Sequence, residues 1–251
     1  FGDHRQLPPV FVSKRRDSPH YRSVFSILTE KDMESMLTTS YRLNRALASW
    51  PSRTFYNGRL VSAPQAGSRQ IEFRRQAQKW SEVLDPQKEI VFVVTGSSAS
   101  TTRNFEEAKL AVDLVQELLE CGVRASEIGI VVPYRAQARL VKQRLQDVGL
   151  AEEDRREIVA DTVERLQGQE RECVIYSLTT ARPSFAKQIS EFFFQPERLN
   201  VSITRARSKL IILGSESLLQ MRSDKPEQAK QIELFTEFFN TAQIIYSKDL
   251  K

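Results

Sequence analysis

The side chains best suited to chemistry sit in short clusters at the ends of apolar runs. After Ile158-Val159-Ala160 comes DTVERLQGQE, Asp161 to Glu170, with more amide, glycine and acid than a plain surface loop requires. After Val132 comes PYRAQ, Pro133 to Gln137, and ahead of the last apolar run comes RLNVSITRAR, Arg198 to Arg207. Arginines in such places suit phosphoryl oxygens, because a guanidinium stays protonated and presents its donors in a planar fork. Metal chemistry fits less well. Cys121 and Cys173 are far apart, and only His4 and His20 are there to join them, so the paired spacing of a zinc site is missing. Cys173 lies in the apolar run CVIYSL and reads as a small core residue. The sequence contains no G-x-x-x-x-G-K-[ST] phosphate loop and no Asp-Glu pair after an apolar run to hold magnesium. Alone, the chain lacks the parts that cradle and hydrolyse a nucleoside triphosphate. Its arginines are suited to act across a partner surface.

These clusters need elements to position them. Ile90–Val94, Ile128–Val132, Cys173–Leu178 and Leu210–Gly214 are short, β-branched and without clean alternation, as expected of strands buried on both faces of a parallel sheet. Ile158–Ala160 is a weaker fifth. Between them, Asn104 to Cys121 places Phe105, Ala108, Ala111, Val112, Val115, Leu118 and Leu119 on one helical stripe that Gly122 stops. Tyr134 to Val148 repeats the pattern before Gly149, and Pro196 precedes a helical run from Arg198 to Ala206. Strands alternating with helices predict a doubly wound α/β sheet. Residues 227–243 form one more helical pattern. Before residue 80, short helices are expected at Val24–Leu28 and Arg45–Thr54, with prolines breaking any long element. We therefore expect a linker and peripheral helical layer over residues 1–80 and the sheet domain over 81–251.

Composition narrows the class of protein. Of 251 residues 40% are hydrophobic and 27% charged, an ordinary globular balance. The net charge of +5 allows a polyanionic partner without requiring one. No apolar run approaches the ~18 residues of a membrane span, so no membrane partner is expected.

The order of the clusters carries a resemblance. Gly2-Asp3-His4-Arg5-Gln6-Leu7-Pro8-Pro9 resembles motif III of superfamily 1 helicases, "GD..QLPP". Leu37 to Asn44 with Phe55-Tyr-Asn-Gly-Arg-Leu60 is similar to the "L..QYRMHP … FY.G.L" block. Ile128 to Gln137 is similar to "IGIITPY.AQ", Asp161 to Glu170 to motif V, and Arg198 to Arg207 to motif VI, "RLNVALTRAR". Five blocks in order over residues 1–215 identify a RecA-like second motor domain, in the branch containing the nonsense-mediated-decay helicase and related DNA helicases.

The resemblance implies an ATP-dependent helicase or translocase on single-stranded DNA or RNA, intracellular and cytoplasmic, or nuclear in a eukaryote. ATP and Mg²⁺ would be bound mainly by a first RecA-like domain preceding Phe1. It further implies that Arg205 and Arg42 contact the γ-phosphate, with Gln6 as its sensor. Tyr41 would stack on the nucleotide base, Glu170 would meet the ribose, and Gly168 would let backbone approach. Thr162, Pro133 and Tyr134 would touch nucleic-acid phosphate. Departures are Ser40 for Gln, Leu43-Asn44-Arg45 for Met-His-Pro, Val132 for Thr, and Glu164 and Leu166 for Asp and Phe. The alternative is a non-catalytic RecA-like module that binds nucleic acid or protein. Phe192-Phe193-Phe194 reads as a core plug rather than a base-stacking site.

Overall fold

The computed structural model describes residues 2–7, 27–28, 35–96 and 99–250. Phe1, Pro8-Pro9, the basic run Lys14-Arg15-Arg16 and most of the helix expected at 24–28 lie outside the described residues; Ile27 and Leu28 are helical.

A two-stranded parallel ribbon joins β1 (Thr39–Ser40) to β2 (Val61–Ser62). Between and after them come α1 (Arg45–Phe55), α2 (Pro64–Gly67) and α3 (Ser81–Leu84). The chain then runs through β3 (Ile90–Thr95), α4 (Phe105–Glu120), β4 (Ile128–Val132), α5 (Arg135–Asp147), α6 (Glu152–Glu157) and β5 (Val159–Thr162). It continues through β6 (Arg171–Ser177), α7 (Pro183–Gln188), α8 (Ser190–Phe193), α9 (Pro196–Ile203), β7 (Ala206–Ser215), α10 (Glu216–Leu219), α11 (Pro226–Phe239) and β8 (Gln243–Tyr246). The spatial order of the main sheet is β5-β4-β6-β7-β3-β8, and every neighbouring pair is parallel.

Alternate residues of each central strand feed two cores. Val91, Val93, Cys173, Ile175, Ile211 and Leu213 face α4 and α5, while Phe92, Val174, Tyr176, Leu210 and Ile212 face α1, α9 and α11. With both faces covered, neither strand parity can be polar, which explains the unbroken apolar runs. Asn104 starts α4 by accepting the Glu107 N–H, and Gly122 ends it at φ 89°, with the Arg74 side chain where a Cβ would stand.

Several boundaries differ from the sequence reading. The helix expected through Gln243 stops at Phe239, and Gln243–Tyr246 forms β8 beside β3. A four-residue edge strand with one buried side chain, Ile245, has too little periodicity to announce itself. The run expected to be helical to Ala206 ends at Ile203, because Ala206 pairs with Arg171 to begin β7. Helix α1 passes through Pro51, whose buried ring offsets the one missing N–H. Phe105, expected on the buried stripe of α4, is 59% exposed. As the first residue of the helix it precedes the turn that meets the sheet, a position that 3.6-residue periodicity does not weigh.

Candidate functional site

The candidate residues divide between the two ends of the sheet. At the N-terminal ends of β6 and β7, the pairing of Arg171 with Ala206 sets Glu170 and Arg205 side by side. The Arg171 N–H donates to the Arg205 carbonyl at 3.0 Å. Arg42 joins them from the turn after β1. Ser40 Oγ accepts the N–H groups of Arg42 and Leu43, and Arg69 donates to the Arg42 carbonyl at 2.8 Å. Asn44 caps α1 by accepting the Leu47 N–H and ties this turn to β7 by donating to the Ser208 carbonyl at 3.1 Å.

The Arg42 guanidinium pairs through Nε with Glu170 Oε2 and donates through Nη1 to the Thr204 carbonyl at 3.4 Å. Arg207 lies 3.8 Å from the other Glu170 oxygen and 3.0 Å from Glu172, and also pairs with Glu127. Arg205 is different. It is 2% exposed, and among the described residues it donates only to neutral oxygens: the Val201 carbonyl at 2.9 Å, the Gln169 carbonyl at 3.3 Å and Thr204 Oγ1 at 3.1 Å. Burial, and then the charge on Arg42, pull its pKa down to about 10. The charges of Glu170 and Asp3 act on it from a distance, and a buried cation that hydrogen-bonds neutral oxygens gains more from an arriving anion than a surface arginine does.

The same end holds the N-terminal segment. Gln6 donates to Asp3 Oδ2 at 2.9 Å, and the Tyr56 hydroxyl donates to the same oxygen at 2.7 Å. Asn200 donates to the Arg5 carbonyl and to the Tyr56 hydroxyl oxygen, each at 2.9 Å. Tyr41, beside Arg42, is 74% exposed, so its ring lies outside the core. Gly168 has φ 84°, a left-handed conformation that favours glycine, with nothing within 4 Å of an added Cβ.

Thr162, Pro133 and Tyr134 lie at the opposite end, where β5 and β4 finish. Thr162 is buried, and its N–H donates to Asp161 Oδ1 at 2.8 Å. The Tyr134 hydroxyl shares a hydrogen bond with Thr180 Oγ1 at 2.7 Å, and its ring stacks on Phe192 with centroids 5.7 Å apart. Arg198 covers the same phenylalanine at 3.9 Å and donates to Glu164 at 2.6 Å. The structure thus packs Tyr134 into a layer whose far side is an ion pair. Phe193 and Phe194 are buried, as expected of a core plug.

Between these loops is a buried polar knot not anticipated from sequence. Glu107 is 0% exposed. Its Oε1 accepts from Asn104 Nδ2 at 2.9 Å, and its Oε2 accepts from Ser177 Oγ at 2.6 Å and the Thr179 N–H at 2.7 Å. Gln137 accepts the Asn104 N–H at 2.8 Å and donates to its carbonyl at 3.0 Å. Burial pushes the Glu107 carboxyl up to about 8. The bond from Thr179 holds a β-branched residue at φ 66°, a strained conformation. The spacing Asn104-x-x-Glu107 at a helix start was the available signal, since it reads as a cap.

Among the described residues no helix is long and apolar enough to cross a membrane. Nor does any group of three His, Cys, Asp or Glu among them suit a metal ion.

The site residues thus stand at both ends of a six-stranded parallel sheet of α/β class with helices on both faces. The family model described as an AAA domain matches residues 20–217, and the chain belongs to that family, within the superfamily 1 helicases. The chain is similar to "Regulator of nonsense transcripts 1" of Dictyostelium discoideum, with 34% identity over 87% of this chain and 16% of the relative. "DNA polymerase alpha-associated DNA helicase A" of Schizosaccharomyces pombe is 30% identical over 89% of this chain and 34% of the relative. A DNA replication ATP-dependent helicase/nuclease of Xenopus laevis is 30% identical over 85% of this chain and 22% of the relative. The chain therefore spans between 16% and 34% of these relatives' lengths. The solved C-terminal domain of a possible DNA helicase from a Lactobacillus overlaps 70% of this chain and 88% of its own, at 15% identity and a TM-score of 0.40.

Proposed function

We propose that the chain is the second motor domain of an ATP-dependent superfamily 1 helicase or translocase, working on single-stranded DNA or RNA. One observation carries the reading. Arg42, Glu170 and Arg205, up to 163 residues apart in sequence, converge at one end of the sheet beside an exposed Tyr41. Guanidinium groups, a carboxylate and an open aromatic ring are the groups that triphosphate, ribose and base require, so the residues present fit ATP.

On this reading Arg205 and Arg42 hold γ-phosphate oxygens, Gln6 senses them, Glu170 meets the ribose, Tyr41 stacks on the base and Gly168 admits the backbone. Bound ATP supplies the phosphoryl group whose transfer drives motion. Arg205 contributes a rigid, fully protonated fork where negative charge accumulates, and its burial excludes the water that would weaken it. The phosphate loop and the acid that holds Mg²⁺ come from another RecA-like domain, because this sequence has neither, and the chain by itself turns over no ATP. Thr162, Pro133 and the loop at Tyr134 face the nucleic-acid strand. The reading makes the protein intracellular, in the cytoplasm or in a eukaryotic nucleus, with residues 1–80 as the approach to a sheet domain over 81–251.

The test is Arg205→Lys and Arg205→Ala in the complete ATP-hydrolysing protein. In a working motor, both lose ATP turnover by about 10³-fold or more and keep single-strand binding. Retained turnover sinks the arginine-finger assignment and favours a binding module. Mg²⁺-dependent ATPase activity in the isolated 251-residue chain sinks the claim that the phosphate loop lies elsewhere.

A further inference from the structure

Three loops at the C-terminal ends of β3, β4 and β6 are stitched into one surface. The N–H groups of Ala181 and Arg182 donate to the Ser100 carbonyl at 2.9 and 3.1 Å, and Thr180 Oγ1 donates to the Thr101 carbonyl at 2.8 Å. The bond from the Asn104 N–H to Gln137 brings in the loop after β4. On this surface Phe105 is 59% exposed, although the residues on either side of it in the loop and helix are anchored. Asn104 beneath it is buried as the helix cap, and Glu106 is turned to accept the Gly96 N–H at 2.9 Å.

Exposed arginines stand on the same stitched loops and on the helix that follows β4. Arg103 precedes Phe105, Arg182 comes from the loop bonded to Ser100, and Arg135 and Arg139 stand on the first turns of α5. Among the described residues, none of these four has a carboxylate partner, whereas Arg42, Arg165, Arg198 and Arg207 all do. A lone open ring among unpaired guanidinium groups matches a strand that offers one stackable base and several phosphates. An apolar protein partner would want further exposed apolar side chains, and within these three loops Phe105 is the large one.

We propose that Phe105 is a stacking platform for one base of a bound single strand, with Arg103, Arg135, Arg139 and Arg182 holding the neighbouring phosphates. This deepens the single-strand reading above and rests on it. Because the anchored loops keep the ring open before any ligand arrives, binding need not extract a buried side chain.

The experiment measures anisotropy of labelled oligothymidylate, and of the same strand carrying abasic sites, with the wild-type chain, Phe105→Ala and Phe105→Trp. Phe105→Ala weakens binding of the base-bearing strand about 5- to 100-fold, leaves the abasic strand unchanged, and Phe105→Trp restores affinity. Tryptophan emission from Phe105→Trp is quenched on binding, against a background from buried Trp50 and Trp80. Equal binding by wild type and Phe105→Ala, as for a ring that seats a protein instead, overturns the proposal. So does an equal loss on both strands, which would mean a damaged surface. A wild-type chain that binds neither strand, alone or within the complete protein, overturns the single-strand reading and this inference with it.

Discussion

Replacing Glu107 with glutamine changes the pH dependence of stability in a direction that the knot dictates. The carboxyl is fully buried, and burial raises its pKa from an ordinary 4.5 to about 8, with the charge on Glu106 pushing the same way. Between those values the folded chain holds a proton that the unfolded chain has released. Stability from this group is therefore complete below pH 4.5 and falls as pH rises, until the group ionises in the fold near pH 8. The slope is about 1.4 kcal/mol per pH unit, or about 4 kcal/mol between pH 5 and pH 8. Glutamine does not titrate, but its NH₂ must face one of the donors from Asn104, Ser177 or Thr179. That costs about 1–3 kcal/mol at every pH. Urea unfolding at unit steps from pH 5 to pH 8 should show wild type the more stable at pH 5 and the glutamine variant the more stable at pH 8, because the pH-dependent loss of about 4 kcal/mol exceeds the constant cost of the amide. Parallel profiles would refute a buried, protonated Glu107.

Two further outcomes test the packing around the sites. Gly168→Ala places a Cβ in open space but keeps φ at 84°, so it should cost about 1–2 kcal/mol in thermal or urea unfolding without a steric clash. No loss would mean that the turn is free to leave that conformation. Phe235→Ala removes a buried ring that contacts Phe193, Phe194 and Phe239 at centroid distances of 5.6, 5.0 and 4.4 Å. The loss should be about 3–5 kcal/mol, and a change under 1 kcal/mol would place α11 outside the cooperative core.

Much of the sheet was legible locally. Strands buried on both faces must be apolar at both parities, so β3, β4, β6 and β7 stand out as runs, and glycines mark where α4 and α5 stop. The short edge strand β8 was not legible, because an edge strand can leave three of its four residues uncovered. Phe105 was misplaced because helical periodicity describes an ideal cylinder, whereas the first residue of α4 extends past the sheet it packs on. Arg42, Glu170 and Arg205 were legible only through motif order, since nothing in the residues around each one says that the others are near.

By itself, then, the sequence determined the element types, the two-faced sheet and the set of groups able to meet phosphate. Only the tertiary structure decided which of those groups share a place. Thr162 and Glu170 are eight residues apart in one motif, yet β5 ends at the first and β6 begins just after the second. Both strands run parallel to the β4 that separates them. The chain must therefore travel from one end of the sheet to the other between these residues, and a single motif serves both ends. Conversely Arg42 and Glu170, 128 residues apart, form an ion pair because the ties from Asn44 and Arg69 bring the turn after β1 to the start of β7. Sequence distance follows the chain, whereas chemistry follows the sheet.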